Sequence, residues 1–125
     1  MLASNLERHH LAGFRQQLGV RAADLRRRIT AVRDDAALAV REVNDTKDQA
    51  SADAAEEVRF ADLERDRAEL ADVEQALARI DAGTYGMCCD CGRPIGRRRL
   101  EAYPTAKRCR DCQEQHEQHR ERLRH

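Results

Sequence analysis

The chain has no tryptophan, only two phenylalanines and two tyrosines, and aromatics make up 3% of its 125 residues. Rings bury the largest areas in globular interiors, so their scarcity beside 37% charged residues excludes a thick core built on aromatic packing. Net charge is absent as well. The 23 basic and 23 acidic side chains cancel, which removes bulk attraction to nucleic acid or an anionic membrane as a basis for function. No apolar run reaches the length of a signal peptide core or a membrane span, and the opening Met1-Leu2-Ala3-Ser4-Asn5-Leu6-Glu7-Arg8 is mixed in character. A cytoplasmic protein without a membrane role is expected. The length allows one ordinary domain or two small ones and leaves no room for a large catalytic architecture.

What is present is unevenly placed. Residues 1–91 hold 13 basic and 18 acidic side chains, whereas residues 92–125 hold 10 and 5, so the charge that cancels overall is segregated along the chain. Both prolines, Pro94 and Pro104, and four of the six glycines, Gly83, Gly86, Gly92 and Gly96, lie between 83 and 104. Everything before Gly83 therefore reads as helix. Ser4 with Glu7 three residues on forms a capping box, after which Leu11, Leu18, Leu25, Val32 and Ala39 recur at sevens, interleaved with Ala22, Ile29, Ala36 and Val43. Gly19 is the weak point, at about 1 kcal/mol against alanine. A second helix carries Leu63, Leu70, Val73, Leu77 and Ile80, and Gly83 ends it as the residue beyond the C-cap.

Two helices folded back on one another pair positions whose numbers have a constant sum. Leu25 with Leu70, Ala22 with Val73, Leu18 with Leu77 and Val32 with Leu63 all sum to 95, which puts the reversal near residues 47 and 48. The pattern predicts an antiparallel coiled-coil hairpin over residues 1–82 with its tip at 43–51, a rod whose second helix is about 45 Å long. Towards the tip the seam thins to Ala36, Ala39, Ala52 and Ala55, with Glu56 and Arg59 nearby. Residues 42–57 carry six acidic groups against Lys47 alone. Two readings stand side by side: solvated helix ends with Thr46 or Asp48 as a cap, or an acidic probe on a stick.

Residues 83–125 form the second part. Cys88-Cys89-Asp90-Cys91 and Cys109-Arg110-Asp111-Cys112 are two C-x2-C turns separated by 17 residues. Each turn offers two sulfurs to one ion, and four thiolates complete the closed tetrahedral site of a structural zinc, with Cys88, Cys91, Cys109 and Cys112 as ligands. Five cysteines suit a disulfide scaffold poorly, and Cys89 is the surplus thiol. Zinc binding supplies folding energy that so apolar-poor a segment lacks, and a closed site leaves no position for catalytic water. His116 and His119 read as solvent-facing positions on a C-terminal helix, as do His9 and His10 at the other end. Arg93, Arg97, Arg98, Arg99, Lys107, Arg108 and Arg110 surround the cysteines. They either neutralise the thiolates or contact phosphate or an acidic protein surface. Tyr103 alone interleaves with them, which is little support for a base-stacking platform.

The run Arg79-Ile80-Asp81-Ala82-Gly83-Thr84-Tyr85-Gly86-Met87-Cys88, continued through Cys91-Gly92, Ile95-Gly96, Arg99-Leu100-Glu101-Ala102 and Pro104-Thr105-Ala106 to Cys109 and Cys112, resembles the DksA/TraR C4 zinc-finger family. The string around Leu100 and Pro104 makes the likeness specific, since zinc binding alone does not require it. The resemblance implies a mainly α fold and a non-catalytic transcription regulator. It would bind RNA polymerase through the secondary channel, extend its tip towards the active site and read no DNA sequence; a monomer is expected. The family's tip motif, Asp-x-x-Asp-x-Ala, is matched by Asp45-Thr46-Lys47-Asp48-Gln49-Ala50, at the reversal inferred independently from the seam. Asp45, Asp48 and Ala50 are thereby implied to lie near the polymerase active site. Basic side chains that act with the alarmone ppGpp align with Asp72, Tyr103 and Gln113, while Arg65 and Arg99 remain in place. Synergy with ppGpp is not an expectation for this chain. Readings from other classes are a zinc-ribbon nucleic-acid adaptor and a structural coiled-coil scaffold.

Overall fold

The computed structural model describes residues 6–42 and 49–124, with side chains placed for 6–35 and 53–123. Four helices follow in chain order: α1 (Arg8–Glu42), α2 (Gln49–Ala82), α3 (Arg97–Ala102) and α4 (Arg110–Arg124). At 35 and 34 residues, α1 and α2 are each about 50 Å long. The chain forms two compact units, one of Val20–Asp72 and one of Met1–Gly19 with Val73–His125, so each long helix contributes to both. A boundary after residue 82 follows the order of the chain; compactness groups the zinc segment with the helix ends that precede and follow it.

Within Val20–Asp72 the antiparallel register is written in ion pairs. Arg21 holds Glu69 with both nitrogens of its fork, and Arg28 reaches Asp66 at 3.6 Å. Their residue numbers sum to 90 and 94, close to the 95 expected from the seam. Ala22 and Leu25 are buried and Ile29 nearly so, while Val32, Leu63 and Leu70 are half-buried. Every side chain from Asp53 to Asp62 is exposed, including Ala55, Val58 and Phe60. The seam thins as its composition foretells, because alanines and charges bury too little area to seal it.

The other unit departs from the heptad reading in three places. Leu6 and Glu7 are not helical, and α1 opens at Arg8, with the Glu7 carbonyl accepting Leu11 N–H at 3.1 Å. The capping box therefore does not start the helix; Ser4 itself lies outside the described residues. Leu6 is buried, and burying a leucine outweighs a cap worth about 1 kcal/mol. Next, Phe14, outside the named seam, is buried against Tyr85 with ring centroids 5.5 Å apart, while Arg15 pairs with Asp81 at 2.8 Å. Finally, Ala76 is fully buried beside the register of Val73, while Leu77 and Ile80 are half-buried.

Gly83 ends α2 at φ 78°. Its N–H bonds to the Ile80 carbonyl at 3.2 Å and that of Thr84 to the Arg79 carbonyl at 2.9 Å, the paired bonds of a Schellman turn. Gly19, by contrast, sits in uninterrupted helix with open space where a Cβ would stand. Opposite outcomes follow for one chemical change. Gly19→Ala should raise unfolding free energy by about 1 kcal/mol, whereas Gly83→Ala should lower it by about 1 to 2 kcal/mol through left-handed strain. Urea titration of the two variants against the parent distinguishes the signs.

Candidate metal centre

The first C-x2-C turn is shaped by backbone bonds. Cys88 N–H donates to the Arg93 carbonyl at 2.8 Å, and Gly92 N–H returns to the Cys88 carbonyl at 3.0 Å. Gly92 takes φ 75° to close the turn, and Cys91 N–H faces the Cys88 sulfur at 3.5 Å. The isolated bridge between Met87 and Pro94 holds the base of this turn. The second pair is built differently. Cys109 precedes α4 and Cys112 lies in its first turn, so both sit at the positive dipole end of that helix. Cys89 N–H donates to the Lys107 carbonyl at 2.8 Å, which ties the first turn to the approach of the second.

The sulfurs of Cys88, Cys91, Cys109 and Cys112 all lie within 4.8 Å of one another. A zinc–sulfur bond of about 2.3 Å places tetrahedral sulfurs about 3.8 Å apart. Cys91 and Cys109 are at 3.8 Å, so the donor set fits the ion in number, softness and spacing. Burial pushes the Cys88 thiol up, but hydrogen bonds from the backbone of Cys91, Cys109 and Asp90 outweigh it and bring it down to about 6. Cys112 is pushed up, first by its hydrogen bond with Cys109, then by burial and by Cys88 and Cys91. Cys88 takes the available donors while Cys112 holds its proton; a dication is what allows four thiols to ionise together. Cys89 is exposed and outside the quartet, and burial of its sulfur pushes its thiol up, so it stays protonated beside Asp90.

Tyr85 braces the site. It is buried, its hydroxyl donates to the Pro104 carbonyl at 2.7 Å, and burial raises its phenol to about 12 against a small opposing effect of Arg79. Sequence reasoning passed over it, although a lone tyrosine between Thr84 and Gly86 just before a ligand was a usable signal. The basic residues divide. Arg108 pairs with Asp90 at 2.8 Å, which bridges the two cysteine turns, and Arg99 donates to the Arg108 carbonyl at 3.2 Å, which ties α3 to the approach of the second turn. Arg97 engages Glu101 and His10, and Arg110 and Arg65 pair locally with Glu114 and Asp62. Arg98 and Lys107 are exposed. His119 is exposed, but His10 and His116 are half-buried, contrary to their reading as solvent-facing. Asp45 and Asp48 lie outside the described residues, in the connection between α1 and α2; Ala50 is in the first turn of α2.

Residues 83–118 match the prokaryotic dksA/traR C4-type zinc finger family. The RNA polymerase-binding transcription factor DksA of Caulobacter vibrioides is 40% identical over 79 residues, which are 63% of this chain and 55% of that protein. DksA of Escherichia coli is 34% identical over 106 residues, covering 82% of this chain and 68% of that one. The structure of transcription factor DksA2 from Pseudomonas aeruginosa superposes with a TM-score of 0.80 at 31% identity, over 95% of this chain and 89% of the other. The chain belongs to the DksA/TraR C4 zinc-finger family. It spans about half the length of the Caulobacter relatives. One structural zinc is held by the four clustered cysteines.

Two measurements probe this centre. Chelation should abolish amide protection in 83–112 while much of the helical signal of α1 and α2 persists, and Cys112→Ser should prevent stoichiometric zinc uptake where Cys89→Ser keeps one zinc per chain. Because the folded phenol of Tyr85 ionises later than the unfolded one, its contribution is complete below pH about 10 and is lost as pH rises towards about 12. The alkaline loss of stability measured by denaturant titration should therefore be shallower in Tyr85→Phe.

Proposed function

We propose that this protein is a non-catalytic regulator of bacterial transcription, which binds RNA polymerase through the secondary channel and brings the acidic residues Asp45 and Asp48 towards the active site. The observation that carries the reading is the antiparallel register of α1 and α2. Within Val20–Asp72 the pairs Arg21–Glu69 and Arg28–Asp66 have numbers that sum to 90 and 94, which supports the reversal near residues 47 and 48 that the seam predicts. Helices of about 50 Å have the reach that a buried target requires. Carboxylates there would shift a polymerase equilibrium only by contacting two of its states unequally. The relatives' names as RNA polymerase-binding transcription factors support the partner.

The remaining details belong to the same reading. Asp45, Asp48 and Ala50 form the tip; Arg98 and Lys107 are the cations of the zinc segment best placed for an acidic surface of the partner. The protein acts in the cytoplasm as a monomer, without reading DNA sequence. Synergy with ppGpp is not expected of it, because Asp72, Tyr103 and Gln113 offer no cation to a pyrophosphate, although Arg65 and Arg99 remain.

Purified polymerase gives the test. Asp48→Asn should leave co-purification with core enzyme intact while the change in promoter output disappears, and Fe²⁺ bound at the polymerase active site should cut the regulator near residues 45–50. Unchanged promoter output with Asp48→Asn, or cleavage confined to the zinc segment, refutes the tip's role.

A further inference from the structure

A second group of metal-binding side chains lies away from the cysteines and has no part in the proposed function. Glu7, His9 and His10, at the start of α1, offer one ligand atom each within 4.8 Å of one another. His9 Nδ1 and Glu7 Oε2 are 3.4 Å apart. Ligands about 2.0 to 2.2 Å from one ion stand roughly 3.3 Å apart at tetrahedral angles, so this pair already has ligand spacing. The rings of His9 and His10 are adjacent, with centroids 4.0 Å apart.

The state of His10 adds an independent observation. Its Nε2 lies 3.0 Å from Arg97 NH1. A guanidinium only donates, so Nε2 accepts, the ring is neutral and the proton sits on Nδ1. That Nδ1 is buried and has no hydrogen-bond partner. A buried donor left unmatched is costly, and a half-buried imidazole held neutral with one nitrogen unused is the form that binds metal.

The geometry points to a second, weaker divalent-metal site formed by Glu7, His9 and His10, in competition with Arg97. Two imidazoles and a carboxylate suit borderline cations such as zinc or nickel, with the remaining positions left to water. Arg97 competes whichever nitrogen is used. An ion on Nε2 displaces it directly; an ion on Nδ1 expels that proton and leaves Nε2 to be protonated, which ends its acceptance of the Arg97 bond. Either way Arg97 falls back on Glu101, already 3.3 Å from its Nε. Metal at the start of α1 is thereby linked to the side chain of α3 that touches it.

Calorimetric titration of Zn²⁺ into the full chain, already holding one zinc at its cysteines, provides the test. A second binding event is expected, weakened at least about tenfold by His9→Ala or by His10→Ala, since loss of even an outer partner commonly costs 10- to 100-fold. Arg97→Ala should tighten it, the opposite of what a purely structural Arg97–His10 contact would give. Ring resonances of His9 and His10 should move with this event while those of His119 stay. Absence of a second event, its persistence in a His9→Ala, His10→Ala double variant, or weakening by Arg97→Ala overturns the assignment.

Discussion

The closure of four sulfurs around one point is the constraint on which the C-terminal part of the molecule depends. Between Gly83 and Cys112 the buried apolar side chains are Tyr85, Cys88, Ile95, Leu100 and Ala106, too few to order some thirty residues by area alone. The two cysteine turns come from far apart in the chain and are stitched by few direct bonds: Cys89 to Lys107, Arg108 to Asp90, and Arg99 to the Arg108 carbonyl. Without a cation these sulfurs compete for protons, as the opposite displacements of Cys88 and Cys112 display. Zinc converts that competition into cohesion. The turns, α3 and the start of α4 then become a frame against which Phe14 and Tyr85 pack.

The paired helices obey a different economy. Their ion pairs are largely exposed: the Arg21 and Glu69 side chains keep 43% and 37% of their surface, and such pairs contribute little to stability. Arg21 nonetheless holds the Glu69 carboxyl below its usual range, chiefly through the hydrogen bond between them. What pairs of this kind provide is register. A seam of leucine and alanine tolerates sliding by a heptad, whereas such a slide would set Arg28 opposite Arg59 in one direction and Arg21 and Arg28 opposite Ala76 and Val73 in the other. Apolar burial at Leu18, Ala22, Leu25, Val73 and Ala76 supplies the attraction, and charge selects one alignment of it.

Much of this was legible because it is periodic or motif-bound. Heptads gave both long helices, a constant sum gave their antiparallel register, and C-x2-C spacing gave the four cysteines that the structure gathers. The misses have local causes. A seven-residue repeat cannot foresee that Phe14 will be buried against Tyr85, because that contact belongs to the zinc unit and not to the repeat. Ala76 has too small a side chain to stand out as a core position, yet close helix approach buries it completely. α3 has six residues, below the length at which periodicity is readable. The capping box failed because Leu6 had a core to enter, a tertiary fact invisible from Ser4 and Glu7.

The arginines show how structure decides between functions that composition leaves level. A nucleic-acid adaptor needed Arg97, Arg98, Arg99, Lys107, Arg108 and Arg110 as free cations. Arg99 and Arg108 are instead turned inward across the zinc turns, and Arg97 and Arg110 have carboxylates of their own. Of these, Arg98 and Lys107 are left, with exposed Arg93 beside them, and about three phosphate contacts would give a salt slope of only about −3, short of that of a protein held to DNA by many phosphates. A few exposed cations are more in keeping with a docking edge on an acidic protein surface, where charge adds rate and orientation and need not supply most of the affinity. A surface that spends its positive charge on its own thiolates and turns has reserved little for a polyanion, and that allocation favours a protein partner.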